Sequence, residues 1–244
     1  MNNISRMLLA MGAGCVLLAS AGEAGAQANP YRQYSSTSFV NGNLKQAFQK
    51  QWRGTAAGAH SGATLEPVKL PLSVSSFRPV SAPVMHKRVA ASIQDLDAEP
   101  REELEGALLE LLKGYDQLLE DNDEQRLKNN LAGAFNFLFI SSYYALKNGQ
   151  ELTEAQQESM LEQVNAAIAM GLKERRMSDR EKQEMYESVV LSGTLILGLY
   201  NEGRDKGRPE QMKTARELAK ELLGQMMGIT LDKVRISGDT VRID

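Results

Sequence analysis

The chain has 244 residues, of which 42% are hydrophobic and 24% charged, and its formal net charge is −3. This length is sufficient to bury one sizeable hydrophobic core. The only cysteine is Cys15, so a stabilising framework of intramolecular disulfides is excluded and the fold must depend on that core.

The first 28 residues have the pattern of a cleaved signal peptide. Arg6 supplies the positive charge, "MLLAMGAGCVLLASA" supplies the apolar stretch, and "AGAQA" supplies the small residues before a cleavage site. We expect cleavage after Ala28 and a periplasmic or secreted protein. The alternative is a lipoprotein acylated on Cys15, which the pattern favours less because "GAG" before that cysteine lacks an aliphatic residue.

Charge divides the remaining chain into two parts. Residues 29–94 carry eight Lys or Arg and one acid, a net charge of +7, whereas residues 95–244 carry nineteen bases and twenty-nine acids, a net charge of −10. Six of the seven prolines lie at or before Pro100. The pattern predicts a basic, irregular N-terminal arm (29–94) followed by an acidic helical domain (95–244).

The arm contains one candidate contact segment, "NLKQAFQKQW". On a short helix, Leu44, Phe48 and Trp52 share a face. Basic amphipathic helices with aromatic residues bind membrane surfaces or the grooves of partner proteins. The alternative, which we favour, is that the segment folds back onto the acidic domain.

The acidic domain has helical periodicity nearly throughout. Thr153 with Gln156 and Ser178 with Glu181 form capping boxes at two helix starts. Pro209 suits the first position of a helix, and Gly149 suits the left-handed position after one. These signals predict a mainly α protein, an antiparallel bundle of about five to six helices.

The last twelve residues, "KVRISGDTVRID", have a different period. Apolar residues alternate with polar ones on both sides of Ser-Gly-Asp, and this alternation predicts a short C-terminal β-hairpin.

The most apolar stretch after the predicted signal peptide is "SVVLSGTLILGLY", residues 188–200. It is shorter than the ~20 residues that a membrane span needs, so we expect the central helix of the bundle. On that helix Glu187, Thr194, Gly198 and Asn201 share one side, which predicts a narrow stripe facing solvent.

The residues offer few candidates for catalysis or metal binding. The two histidines, His60 and His86, lie in the arm, and the helical domain contains neither His nor Cys. This composition excludes Cys/His zinc sites and histidine-dependent nucleophiles housed wholly within the domain. We therefore predict no catalytic residue, no cofactor and no metal site.

A binding groove is the remaining candidate site. In "NNLAGAFNFLFISSYYALKNG", helical spacing places four polar residues on one face: Asn129, Asn136, Tyr143 and Lys147. We favour the interpretation that these groups are hydrogen-bonded to neighbouring helices or to solvent. The alternative is a groove that accepts a polar ligand or peptide.

Several stretches resemble a known family. "MSDREKQEMYESVVLSGTLILGLY" and "ARELAKELLGQMMGITLDKVRIS", together with "FLFISSYY" and "LTEAQQ", are similar to exported bacterial proteins catalogued as domain of unknown function 6683. The resemblance covers roughly Ser76–Ile236 and implies export and a helical fold, without an activity. It also implies an acidic residue near the position of Gly133 and a Trp at Phe139, where this chain departs from the pattern.

Together these features favour a non-catalytic binding protein of the bacterial envelope. Its partner would be an envelope protein or a second copy of the chain, with a membrane surface as a further option for the basic arm. Nucleic acid is not an expected partner of an exported protein. The alternatives are a carboxylate-dependent envelope hydrolase and a small-ligand carrier with a cavity inside the bundle.

Overall fold

The computed structural model describes residues 46, 48–51, 69–93 and 96–244. The predicted signal peptide lies outside the described residues, and so do Leu44 and Trp52 of the predicted contact segment.

The fold is mainly α with a C-terminal β-hairpin, as predicted. The described residues form the helices α1 Met85–Ser92, α2 Ala98–Asp121, α3 Leu131–Leu146, α4 Glu154–Glu174, α5 Asp179–Asp205 and α6 Pro209–Leu222. A π-helical turn, Leu223–Met227, extends α6, and 3₁₀ turns cover Leu72–Val74, Gln125–Leu127 and Leu231–Lys233. The strands are β1 Val234–Ser237 and β2 Thr240–Ile243.

Local signals set the helix ends. Both predicted capping boxes are confirmed: the Thr153 hydroxyl accepts from the Gln156 N–H, and the Ser178 hydroxyl accepts from the Glu181 N–H. Pro209 opens α6. After α3, Asn148 takes the left-handed conformation with φ 56°, and the predicted Gly149 follows it with φ 85°.

Helix α5 is the centre of the fold, since it packs against α1, α2, α3 and α6. Its residues from Val189 to Gly203 are all buried. The predicted solvent-facing stripe is therefore wrong: Glu187, Thr194 and Asn201 are each at most 3% exposed. Most of their polar atoms bond internally; for example, the Thr194 hydroxyl donates to the Val190 carbonyl at 2.9 Å, and the Asn201 side-chain nitrogen donates to the Leu197 carbonyl at 2.8 Å. None of the described helices is long and apolar enough to cross a membrane.

The hairpin packs against α4. β1 pairs with β2 in an antiparallel register that joins Val234 to Ile243 and Ile236 to Val241. Val241 and Ile243 are buried. The side-chain amide of Gln163 on α4 donates to the Val241 carbonyl at 2.6 Å, so α4 and the hairpin form one unit.

Residues 69–77 are held on the bundle by buried amides. The Asn165 side chain on α4 donates to the Leu70 carbonyl at 2.9 Å, and the Asn130 side chain donates to the Leu72 carbonyl at 2.8 Å. Ser75 lies between them and donates to the Asn165 side-chain oxygen at 2.7 Å. Both asparagines are at most 1% exposed, so these bonds form in a low-dielectric environment.

Two polar residues of α5 hold the next segment. The Gln183 side chain accepts from the Val80 N–H at 2.8 Å and donates to the Glu187 carboxylate at 2.8 Å. The other Glu187 oxygen accepts from the N–H groups of Val84 and Met85 at 2.8 and 2.9 Å. Because α1 has no side-chain cap of its own, Glu187 supplies the acceptor for its first N–H groups. Residues 69–93, which the charge pattern assigns to the arm, thus pack against the helical domain.

Gly193 permits a close approach between α5 and α3. A Cβ at this position would lie 2.8 Å from two ring carbons of Phe137. Gly193→Ala should therefore overpack the core and lower the free energy of unfolding by ~1–3 kcal/mol. Urea denaturation of the purified protein measures this.

Gly106 is the matched control for that experiment. It lies exposed on α2, and an added Cβ would meet nothing within 4 Å. Gly106→Ala should raise stability by up to ~1 kcal/mol, since alanine favours the helix. Effects of the same sign at the two positions would contradict the close packing of α3 and α5.

His86 should make stability depend on pH. Burial, with the neighbouring charge of Lys87, lowers the pKa of His86 below its ordinary value of 6.5. As the pH falls, the unfolded chain therefore binds the proton before the folded chain does. The stability that the neutral His86 contributes is complete above pH 6.5 and is lost as the pH falls below 6.5. Between pH 7.5 and pH 5.5, the free energy of unfolding should fall more in the wild-type protein than in His86→Gln. Equal losses would contradict it.

Candidate functional site

A cleft of about 760 Å³ opens between the end of α2, one face of α3 and the start of α4. The loop 150–153 and the 3₁₀ turn Gln125–Leu127 also contribute to its lining. Its apolar lining includes Leu118, Phe137, Ile140 and Leu152. Both exposed and buried residues contribute, so the cleft reaches from the surface to the core.

Helix α3 supplies the floor of the cleft. The residues that it contributes recur at steps of three, one and three, as one face of a helix requires: Gly133, Asn136, Phe137, Ile140, Ser141 and Tyr144. The ring of Phe137 stacks at 4.7 Å from that of Tyr115 on α2. Because Gly193 of α5 lies directly behind Phe137, the core fixes the position of this floor.

Three buried polar groups of the cleft have no hydrogen-bond partner among the described residues. They are the Tyr115 hydroxyl, the Asn136 side-chain oxygen and the Ser141 hydroxyl. Their residues are 1%, 5% and 1% exposed. An unpaired buried polar group costs ~1–3 kcal/mol, so three in one cleft are a substantial cost to the fold.

The hydrogen-bonding character of these groups is defined. The Asn136 amide nitrogen already donates to the Gln157 carbonyl at 3.3 Å, which leaves its oxygen as an acceptor. Burial raises the pKa of Tyr115 well above 10, so the phenol stays protonated. Tyr115 and Ser141 can therefore each donate to an acceptor placed in the cleft.

Charged residues form the rim. The guanidinium of Arg126 donates to Glu158 at 2.7 Å and to Glu124 at 2.7 Å. These bonds raise the pKa of Arg126, and the bond from Arg126 lowers the pKa of Glu158. Glu151 and Glu154 line the opposite side of the cleft.

A second cavity, of about 320 Å³, adjoins the cleft. The two share Arg126, Glu158 and Leu161 as lining residues. The small cavity is further lined by Lys69, which pairs with Glu162 at 2.6 Å. The ion pair of Arg126 and Glu158 therefore lies at the boundary between the two spaces.

The family model for a family of unknown function, DUF6683, matches residues 4–244. The chain belongs to this family. Comparisons with curated proteins and with solved structures gave no match. The expected relationship is confirmed over a longer stretch than the resemblance covered.

The two positions at which the resemblance implies other residues, Gly133 and Phe139, have structural contexts here. A Cβ at Gly133 would lie 2.8 Å from the Leu127 Cβ and 2.9 Å from the Leu127 carbonyl oxygen, so this chain has no room for an acidic side chain there. Phe139 is fully buried, and its ring centre lies 6.2 Å from that of Tyr143. Gly133 thus belongs to the cleft and Phe139 to the core.

The structure does not bring the four predicted groove residues together around the cleft. Asn136 lines it. Asn129 precedes α3 with a left-handed φ of 54°, Tyr143 is buried with a pKa raised by that burial, and Lys147 is exposed after the helix end. The face of α3 that lines the cleft is rotated by roughly a fifth of a turn from the predicted one. Binding by these residues stays a prediction.

Of the predicted arm contact, the described residue is Phe48. It is fully buried, and its ring centre lies 5.2 Å from that of Phe135. Phe135 is on the side of α3 opposite the cleft. Lys50 forms an ion pair with Glu174, so residues 48–51 contact the helical domain in the manner of the favoured alternative.

Two cleft residues escaped the sequence reasoning. Tyr115 is a buried aromatic residue of α2, which helical periodicity alone does not distinguish from the core, and Ser141 lies one helix face away from the predicted groove. A stripe of small, apolar and polar residues on α3 at steps of three and four was the available signal. In the parts of the chain that the structure describes, no three His, Cys, Asp or Glu side chains are placed to hold a metal ion.

Tyr115→Phe and Ser141→Ala should each raise the stability of the protein. Each change removes an unpaired buried hydroxyl and keeps the packing, so we expect a gain of ~1 kcal/mol in the free energy of unfolding. Thermal and urea unfolding measure it.

Tyr144→Phe is the control from the same cleft. The Tyr144 hydroxyl accepts from the Arg204 guanidinium at 2.5 Å, so its loss should lower stability by ~0.5–1.5 kcal/mol. If Tyr115→Phe destabilises the protein as much as Tyr144→Phe does, the Tyr115 hydroxyl has a partner and the assignment fails.

Proposed function

We propose that the protein is a non-catalytic binding protein of the bacterial envelope, and that it takes a segment of its partner into the cleft between α2, α3 and α4. The observation that carries this proposal is the set of three unpaired buried groups, Tyr115, Asn136 and Ser141. Natural folds pair nearly all buried polar groups, and exceptions need an explanation. A partner that hydrogen-bonds to these groups offsets their cost.

The shape of the cleft supports a partner segment over an enclosed small ligand. Gln150 and Glu154 at its edge are exposed, while Leu161 and Leu197 at its base are buried. A surface-open groove with an apolar base and a few polar groups is the usual form of a peptide-binding site.

The charges of the cleft favour binding over hydrolysis. A carboxylate-dependent hydrolase needs one carboxyl group with a raised pKa to act as the general acid. Glu158 has the opposite shift, because Arg126 donates to it. Its role as an ionised acceptor suits recognition.

Export is the second part of the proposal. It rests on the signal-peptide pattern of residues 1–28, with cleavage after Ala28. A partner in the envelope follows from that location.

Site-specific crosslinking from the cleft tests the proposal. Ile140 is half-buried and lines the cleft. Residues 29–244, which remain after the predicted cleavage and contain no native cysteine, are prepared with Ile140→Cys and coupled to a benzophenone maleimide. This protein should crosslink one reproducible protein in an envelope fraction of its own organism. The crosslinked product is identified by mass spectrometry.

Val80→Cys is the matched control for this experiment. Val80 is 54% exposed and lies outside the cleft. The same probe at this position should give no such product. Equal products from the two positions, or none from Ile140, would overturn the proposal.

A further inference from the structure

The unpaired groups of the cleft indicate which hydrogen-bond donors and acceptors a ligand must carry. Tyr115 and Ser141 present hydroxyl donors, and Asn136 presents an amide oxygen that accepts. A ligand that satisfies all three must offer both an acceptor and a donor. A peptide group meets this requirement, since its C=O accepts and its N–H donates.

The charged residues of the lining favour one sign of charge on the ligand. The lining contains four carboxylates and one guanidinium, which gives it a formal charge of −3: Glu124, Glu151, Glu154, Glu158 and Arg126. Arg126 already donates to Glu124 and Glu158. Its positive charge is therefore paired with these two carboxylates at the rim. The lining as a whole favours a cation over an anion.

The two adjoining cavities bear on whether the ligand is extended or compact. The wide cleft and the small cavity meet at Arg126, Glu158 and Leu161. Beyond that boundary, Glu162 adds another carboxylate to the lining, next to Lys69. The lining of the small cavity is neutral, because Lys69 pairs with Glu162 and Arg126 pairs with Glu158. The acidic surplus therefore belongs to the wide cleft, and an extended chain meets it there before it crosses the boundary.

We infer that the cleft recognises an extended, basic peptide segment of a partner protein, with apolar side chains in the wide cleft and Lys or Arg at its acidic rim. This inference rests on the binding function proposed above. The apolar side chains would contact Phe137 and Ile140, and the peptide groups would pair with Tyr115, Asn136 and Ser141.

Selection from a random heptapeptide library displayed on phage tests the ligand class. The full-length protein is the target, and the Ile140→Lys variant, which fills the cleft and adds a positive charge, is the counter-target. Thermal unfolding first confirms that the variant is folded. We expect selected peptides that combine Lys or Arg with apolar residues and bind wild type at least tenfold more tightly than the variant.

Fluorescence anisotropy with a selected peptide then tests each contribution. Glu151→Gln with Glu154→Gln should weaken binding roughly fivefold or more, and 300 mM salt should weaken it further, because salt screens exposed charges. Glu99→Gln with Glu102→Gln removes the same charge from the exposed start of α2 and should change little. Tyr115→Phe should weaken binding although it stabilises the fold.

The outcomes separate this inference from the proposed function. Selected peptides without an excess of Lys or Arg would overturn the basic character, and no selection over the Ile140→Lys variant would overturn a peptide ligand. If crosslinking from Ile140 still succeeds in either case, the cleft binds a partner of other chemistry and the proposed function stands. If crosslinking fails as well, the proposed function falls too.

Discussion

The burial of α5 is the constraint on which the other elements depend, since every residue from Val189 to Gly203 is buried, as are Gln183 and Glu187 before them. Polar side chains buried in this way need hydrogen-bond partners inside the protein. Gln183 and Glu187 meet this need by bonding to the backbone of residues 80–85, and this fixes where α1 begins. On another face, Gly193 lets Phe137 of α3 approach closely. The same helix therefore positions the N-terminal segment and the floor of the cleft.

Two groups of buried polar residues differ in whether their polar atoms are hydrogen-bonded. Around residues 69–85, the amides of Asn130, Asn165 and Gln183 are bonded to backbone carbonyls or N–H groups. In the cleft, Tyr115 and Ser141 are equally buried and have no partner in the described structure. Unpaired buried groups also occur outside the cleft in the described structure, among them His86 Nδ1 and Asn201 Oδ1. The cleft differs because three such groups line one open space, and costs to stability are retained where they serve function.

Local chemistry explains which features could be predicted from the sequence. These features are the capping boxes at Thr153 and Ser178, the helix start at Pro209 and the C-terminal hairpin. Each depends on residues a few positions apart, so the sequence contains the whole interaction. The solvent-facing stripe on α5 failed because polar side chains were equated with exposure, whereas Glu187 is buried against a segment about a hundred residues away in the chain. The cleft was missed for the same reason. Its face of α3 is defined by where α2 and α4 pack, and Tyr115 enters it from another helix.

The opposite charges of the two halves of the chain act mainly within the protein. Three N-terminal bases, Lys50, Lys69 and Arg88, pair with Glu174, Glu162 and Glu184. Such exposed pairs contribute only ~0–1 kcal/mol each, so they orient the N-terminal residues, while buried amides and Phe48 hold them in place. None of these three carboxylates lines the wide cleft. These three ion pairs thus lie away from the wide cleft, so they fix the N-terminal residues without changing the charge of its lining.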